Sequence, residues 1–331
     1  MPEAETSIAY SVHIAEASCD GCGLCEAFCP VNVFEMQDGL PNAVREADCW
    51  GCETCVGQCP QQALCITASE EVRENWESRQ LAPPLDSATQ ELYAGWATSL
   101  KEVLGLAWEP VAIALIKAGE PLPDVELPKE RLRYCQSLLG ARKGQAFLMP
   151  PNRHACPDGT SILGLCPMPE KLASGELYIL FNKLHSIEAA KRMVHERPSL
   201  PARCVQATVV APLAQAPCPA DVIAVVALPE QIMWLSMATS YFSGHRHDFH
   251  ASGYNAQCVE TTLIPYLSKE INISFGCYGC RASTDVGEEL MMMGIPVALM
   301  PQVVAGLIEL GKKAIPQSRA KIYLQDEGFK Q

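Results

Sequence analysis

Positive charge is scarce in this chain. Lys and Arg total 25 against 38 Asp and Glu, for a formal net charge of −13. That balance argues against nucleic acid as a partner, because such binding rests largely on basic side chains at phosphates. Long apolar runs are missing too. The best stretch, Val205–Leu228, is broken by Pro212, Pro217, Pro219 and Asp221. A spanning helix needs about 20 predominantly apolar residues, so no membrane span is expected. The opening residues MPEAETSIAY hold neither a basic nor an apolar segment, so a signal peptide is not expected and a cytoplasmic location is. No glycine-rich fingerprint follows a candidate strand and no Walker-type sequence occurs, so neither a dinucleotide fold nor an ATPase has motif support. A flavin stays open, since many flavin sites lack a short motif.

Cysteine is abundant. There are 17 in 331 residues, alongside 48% hydrophobic residues, enough to bury a core. In a reducing compartment so many cysteines point to metal or redox chemistry rather than disulfides. Eight of them form a repeat. Cys19, Cys22, Cys25 and Cys29 recur as Cys49, Cys52, Cys55 and Cys59, each quartet ending in proline (Pro30, Pro60). Gly21 and Gly51 match as well. A cubane iron–sulfur cluster offers one open tetrahedral position on each of its four irons. Three closely spaced thiolates wrap one face, and in two-cluster proteins the fourth comes from the other motif. Cys19, Cys22, Cys25 and Cys59 are therefore expected to hold one [4Fe-4S] cluster, and Cys49, Cys52, Cys55 and Cys29 a second. Residues from about 10 to 69 resemble a bacterial-type two-cluster ferredoxin domain. Ser11–Ile14 and Ala63–Thr67 read as its terminal strands, with Cys65 a small buried hydrophobe. Residues 1–69 carry ten carboxylates against one base, Arg45. This segment should steer toward a redox partner protein with a basic docking face.

The expected division is a ferredoxin domain at 1–69, a linker at 70–86 ending in Pro83-Pro84, and a larger mixed α/β domain at 87–331 whose strand order the sequence does not fix. Leu92, Trp96, Leu100, Val103 and Leu104 recur on one helical face. Pro110–Lys117, Thr208–Leu213, Asp221–Leu228, Ile271–Phe275 and Ile295–Leu299 read as strands. Helices are expected at Lys129–Gly140, Ser186–His195, Pro229–Tyr241, Thr261–Lys269, Asp285–Met292 and Gln302–Lys312. The segments RYCQSLLGARKG, ACPDGTSILGL, PEQIMWL, NISFGCYGCRASTD, MMMGIPVALMPQVVAGL and KKAIPQSRAKIY closely resemble the family catalogued as domain of unknown function 169, over roughly Leu92–Tyr323. That resemblance implies no particular activity.

The sharpest local feature of this larger part is Cys277-Tyr278-Gly279-Cys280-Arg281. A CxxC pair suits a disulfide, zinc or an iron–sulfur cluster. A helix start after it, with Asp285 as cap and Glu288 three residues on, together with Arg281, is expected to favour thiolates there. Cys135, Cys156 and Cys258 are the candidate partners. Cys135, Cys156, Cys277 and Cys280 would make a four-thiolate site, and Cys258 could replace a member of its first half. A third iron–sulfur cluster is the favoured occupant, with zinc or bare redox thiols the alternatives. Cys166, Cys204 and Cys218 read as core or loop thiols. His154 could shuttle protons near Cys156. His245, His247 and His250 alternate in HRHDFH; alternate histidines can share a face and bind a metal, but the stretch reads first as a solvated loop. Asp158-Gly159 could start a helix that binds an anion weakly. Met291-Met292-Met293 reads as core at the end of an apolar helix.

The functional expectation is an iron–sulfur redox protein. Its ferredoxin part would carry single electrons to or from a cysteine-ligated site that oxidises or reduces an unidentified small-molecule substrate. The alternative is a non-catalytic electron-transfer or accessory subunit that binds a partner or a metabolite.

Overall fold

The computed structural model describes residues 9–70, 72 and 78–324. Residues 71 and 73–77 of the expected linker lie outside these residues. The chain divides into two compact units that do not follow chain order. The first combines the N-terminal segment to Ala82 with Leu115–Tyr134 and Leu148–Thr208; the second combines Pro83–Ala114, Cys135–Phe147 and the chain from Val209 onward.

Within the first unit, β1 (Tyr10–Ile14) and β4 (Leu64–Ala68) pair antiparallel, with Val12 opposite Ile66 and His13 opposite Cys65. Between them lies the short hairpin of β2 (Glu35–Gln37) and β3 (Leu40–Asn42). The cysteine repeat is also a repeat of backbone conformation. Helical turns stand at Leu24–Phe28 and Thr54–Gln58, each one residue after a left-handed Gly23 or Glu53. Gly21 and Gly51 have φ of 70° and 68°, and Asn32 and Gln62 have φ of 55° and 52°. At Gly21 only glycine fits, because a Cβ would lie 2.3 Å from the Gly39 carbonyl oxygen. The small core here is made of Val33, Phe34, Leu64 and buried cysteines. Cys65 departs from the expected burial. Strand alternation turns Leu64 inward and leaves Cys65 exposed. The remainder of the unit adds helices at Pro157–Ile162, Glu170–Ala173, Glu176–Leu180 and Ile187–Glu196. Ser186 caps the last of these by accepting from the Ala189 N–H at 3.3 Å.

The large sheet has six strands in the order β6, β7, β5, β8, β10, β9. They are β5 (Val111–Lys117), β6 (Phe147–Met149), β7 (Val205–Pro212), β8 (Val222–Ala227), β9 (Asn272–Ser274) and β10 (Met291–Pro296). β5 pairs antiparallel with β8, β8 with β10 and β10 with β9, with Val111 opposite Ala224 and Met292 opposite Ser274. β8 is buried along its whole length, as a continuous Val/Ile/Ala run in the middle of a sheet demands.

The core of the second unit lies between this sheet and the helices Ser87–Leu104, Pro229–Ser240 and Met300–Lys312. Trp96, Leu100, Leu104, Leu235, Val303 and Leu307 pack there against Ile223, Val225, Met293 and Ile295. Leu92, expected on the buried face of the first of these helices, is exposed, and Tyr93 and Ala97 take the inward positions instead.

The helix expected at Asp285–Met292 does not form. A helix stands earlier, at Tyr278–Ser283, and the methionine run is the strand β10. Asp285 caps nothing; its carboxylate binds Arg142 at 2.9 Å and the Lys143 ammonium. Met292 and Met293 are nonetheless fully buried, as core residues should be. The expected helix at Thr261–Lys269 is a π-helix over Ala256–Leu263 running into an α-helical turn at Ile264–Ser268.

Candidate functional site

The first quartet builds a pocket. Cys19, Cys22, Cys25 and Cys59 line it together with Ile14, Leu24 and Leu64. Three of these thiols come from the first motif and one from the second, as the crossing pattern requires. Four sulfurs in an apolar setting suit an iron–sulfur cluster well and suit a hard cation poorly. The crossing cysteines are held alike. Cys29 Sγ accepts from the Val33 N–H at 3.2 Å, and Cys59 Sγ accepts from the Ala63 N–H at 3.3 Å. Such donors stabilise negative charge on sulfur.

The second quartet has a different neighbourhood. Burial pushes the Cys49 thiol up to about 11. It raises Cys55 as well, with the Cys52, Cys29 and Cys49 sulfurs adding to the effect. Thiols crowded and desolvated in this way keep their protons until a metal displaces them. Arg131 stands close enough to Cys49 and Cys52 to interact with both electrostatically. One of its nitrogens donates to the His154 carbonyl. Its Nε and Nη1 are buried without a hydrogen-bond acceptor, as are Trp50 Nε1 and Arg153 Nε. Buried donors without acceptors beside a cysteine quartet fit a group that supplies acceptor sulfurs.

The helix Leu24–Phe28 is closed off within the same unit. Lys171 donates to the carbonyls of Glu26 and Ala27, Asn32 donates to the Glu170 carboxylate at 3.3 Å, and the Phe28 and Phe181 rings lie 5.1 Å apart. An ammonium at the end of a helix meets carbonyls that have no intrahelical donor.

In the second unit, Cys277 is the N-cap of the helix Tyr278–Ser283 and Cys280 is fully buried inside it. Cys135, on the helix Tyr134–Ala141, lies against this element. Its Sγ is 3.5 Å from Ser283 Oγ and 4.0 Å from the Gly279 carbonyl. Gln257 donates to Cys280 Sγ at 3.7 Å, which brings the π-helix carrying Cys258 alongside. Cys156 belongs to the other unit.

The expected activation of the pair is only partly met. Burial raises the Cys280 thiol, outweighing the opposing pull of Gln257 and Arg281. Arg281 is occupied by the carbonyls of Phe275, Gly287 and Leu290 at 2.5, 2.7 and 3.1 Å.

His154 is not an accessible proton shuttle. It is fully buried, Nε2 donates to the Met149 carbonyl at 3.1 Å, and Nδ1 has no partner. Burial pushes its pKa down to about 4. Asp158 and Gly159 lie in the first turn of the helix Pro157–Ile162, and the Asp158 carboxylate binds Arg197 at 2.7 Å and accepts from the Tyr178 hydroxyl at 3.1 Å.

Two polar anchors escaped sequence reasoning because they sit in apolar stretches. Glu260, buried in the π-helix, accepts from Ser252 N, Ser252 Oγ, Gly253 N and Ser274 Oγ. Asn272, buried on β9, donates to the Glu260 carbonyl at 2.8 Å and exchanges hydrogen bonds with the His250 backbone. A π-helix is the one available signal, since such segments gather at functional sites.

A 4Fe-4S dicluster domain matches residues 18–63. The family of uncharacterised ArCR proteins, domain of unknown function 169, matches residues 99–306, more than half of the chain. The chain belongs to this family. Its dicluster domain gives this member of domain of unknown function 169 an iron–sulfur electron-transfer role. An uncharacterized protein of Methanocaldococcus jannaschii is similar, at 28% identity over 214 residues, which is 64% of this chain and 91% of that protein. No solved structure matches. Among the described residues no helix is long and apolar enough to cross a membrane.

Proposed function

We propose that this protein carries single electrons between a partner and a thiol-ligated redox site in its second unit. In this reading Cys19, Cys22, Cys25 and Cys59 hold one [4Fe-4S] cluster and Cys49, Cys52, Cys55 and Cys29 hold the other. When bound, such clusters supply one-electron carriers with potentials anywhere from about −700 to +450 mV. The chain supplies the tuning. Val33 and Ala63 direct N–H groups at the crossing sulfurs, and Arg131 puts positive charge beside Cys49 and Cys52. The acidic surface of the ferredoxin segment would orient a partner with a basic face.

The observation that carries the second part is the packing of Cys135 against the helix that follows Cys277 and contains Cys280. With Cys258 on the adjoining π-helix, four thiols of one unit become candidate ligands for a third iron–sulfur cluster: Cys135, Cys258, Cys277 and Cys280. Cys258 then takes the position that sequence reasoning gave first to Cys156. Substrate turnover at this site is the proposed activity, with reaction and substrate unnamed. The burial of Cys280 supports one competing reading, in which these thiols are structural and the second unit binds a partner or metabolite without turnover.

The test is an iron and acid-labile sulfide count on the full chain, purified without oxygen, in wild type and in Cys277→Ala. Three clusters require about twelve irons, falling to about eight in the variant. About eight in both would remove the third cluster and leave a two-cluster carrier with an accessory unit.

A further inference from the structure

We infer that His245, His247 and Glu270 form a binding site for a divalent transition-metal ion of the zinc class, separate from every cysteine site. One ligand atom from each residue lies within 4.8 Å of the other two. Ligands about 2.0–2.1 Å from a tetrahedral zinc stand roughly 3.4 Å apart. The trio therefore needs a contraction that the rotamers of the two exposed side chains, His245 and Glu270, can supply. Two imidazoles and a carboxylate are the ligand set of an open zinc site, in which a fourth position is left to water or another small ligand.

The residue types are only part of the case. The His247 side chain is 5% exposed, with Nδ1 3.2 Å from Glu270 Oε2. Its Nε2 is shielded from solvent with no hydrogen-bond partner, and its Nδ1 faces the Glu270 carboxylate. Burying an imidazole nitrogen with no partner is costly, and a metal ion bound there relieves the cost. The His245 ring stands edge-on to it with centroids 4.8 Å apart, and the Phe249 ring lies on it at 6.3 Å.

The surrounding backbone is fixed on both sides. Ser240 Oγ donates to the His245 carbonyl at 2.6 Å, and the His245 N–H donates to Ser243 Oγ at 3.1 Å. Asn272, two residues after Glu270, binds both the N–H and the carbonyl of His250. The buried Asn272 thus ties the histidine loop to the segment that carries Glu270, which keeps the ligands near one another without an ion. His250 is bound through its backbone and lies outside the trio.

The experiment uses the cluster-loaded full chain, equilibrated anaerobically with zinc chloride and then dialysed. Zinc content and zinc X-ray absorption are measured together, because the absorption edge separates nitrogen and oxygen ligands near 2.0–2.1 Å from sulfur near 2.3 Å. One zinc per chain with nitrogen and oxygen ligands is expected. His245→Ala and Glu270→Gln should each weaken binding by about 100-fold or more, above the 10–100-fold typical of losing an outer-shell partner, and His250→Ala should leave it intact. His245 and Glu270 are exposed, so these variants leave the core untouched even if His247→Ala fails to fold. Zinc on sulfur, zinc retained in both variants, or no stoichiometric zinc would each overturn the site.

Discussion

His154 makes the stability of this protein depend on pH in a direction the structure fixes. The imidazole is fully buried, Nε2 is committed to the Met149 carbonyl and Nδ1 faces no acceptor. A second proton would have to sit on Nδ1, desolvated and close to the positive charge of Arg131. Burial and Arg131 accordingly hold the pKa at about 4 against an ordinary 6.5. The folded chain keeps the ring neutral, while the unfolded chain takes up a proton below pH 6.5. The contribution is therefore complete above pH 6.5 and drains away as pH falls toward 4, below which both states are protonated. Its full size is about 3 kcal/mol, and about 2 kcal/mol is lost between pH 8 and pH 5. His154→Gln keeps an N–H donor for Met149 and removes the titration. Urea denaturation of wild type and variant at the two pH values isolates the effect, since acid lability of the clusters is common to both. Wild type should lose about 2 kcal/mol more than His154→Gln over this range. Equal losses would refute the assignment of a neutral, buried imidazole.

Other predictions follow from single side chains. Gly21→Ala forces a Cβ to within 2.3 Å of the Gly39 carbonyl oxygen, whereas Gly39→Ala meets nothing within 4 Å. Both positions have positive φ, so anaerobic iron counts should fall much further in Gly21→Ala than in Gly39→Ala. Arg131→Gln removes positive charge beside Cys49 and Cys52 and should lower one cluster potential by on the order of tens of millivolts in an EPR-monitored titration, where 59 mV is a tenfold change. Arg142 is fully buried, stacks 4.1 Å over Trp108 and pairs with Asp285. Arg142→Ala should cost about 3 kcal/mol in thermal denaturation, mostly through lost packing and hydrogen bonds.

The ferredoxin segment was legible in the sequence because cluster chemistry constrains spacing residue by residue. Eight cysteines, two prolines and two glycines specify a repeated backbone, and the first quartet does line one pocket. The sheet strands were legible where β-branched runs are long, as in Val111–Lys117 and Val222–Ala227. Met291–Met293 was not, because an unbranched apolar run carries no period, and only its pairing with β8 decides for strand. Asp285 resembles a helix cap until Arg142, 143 positions away, claims it. The interleaving of the two units is equally invisible to local pattern, since chain crossings carry no compositional mark. Glu270 is 23 residues from His247 with no motif linking them, so the histidine pair could be noticed but its carboxylate could not. Burial changed the expected chemistry at His154 and Cys280, and burial of a polar residue is what a single sequence reveals least.

The account rests most directly on one-electron chemistry at the two cysteine quartets. The deciding measurement is EPR of the full chain, purified anaerobically and reduced by a one-electron dye, with iron, sulfide and zinc counted on the same sample. The account predicts at least about eight irons with matching sulfide, and a signal from reduced [4Fe-4S] clusters broadened by coupling between neighbours. Zinc in place of iron and no reduced-state signal would contradict it.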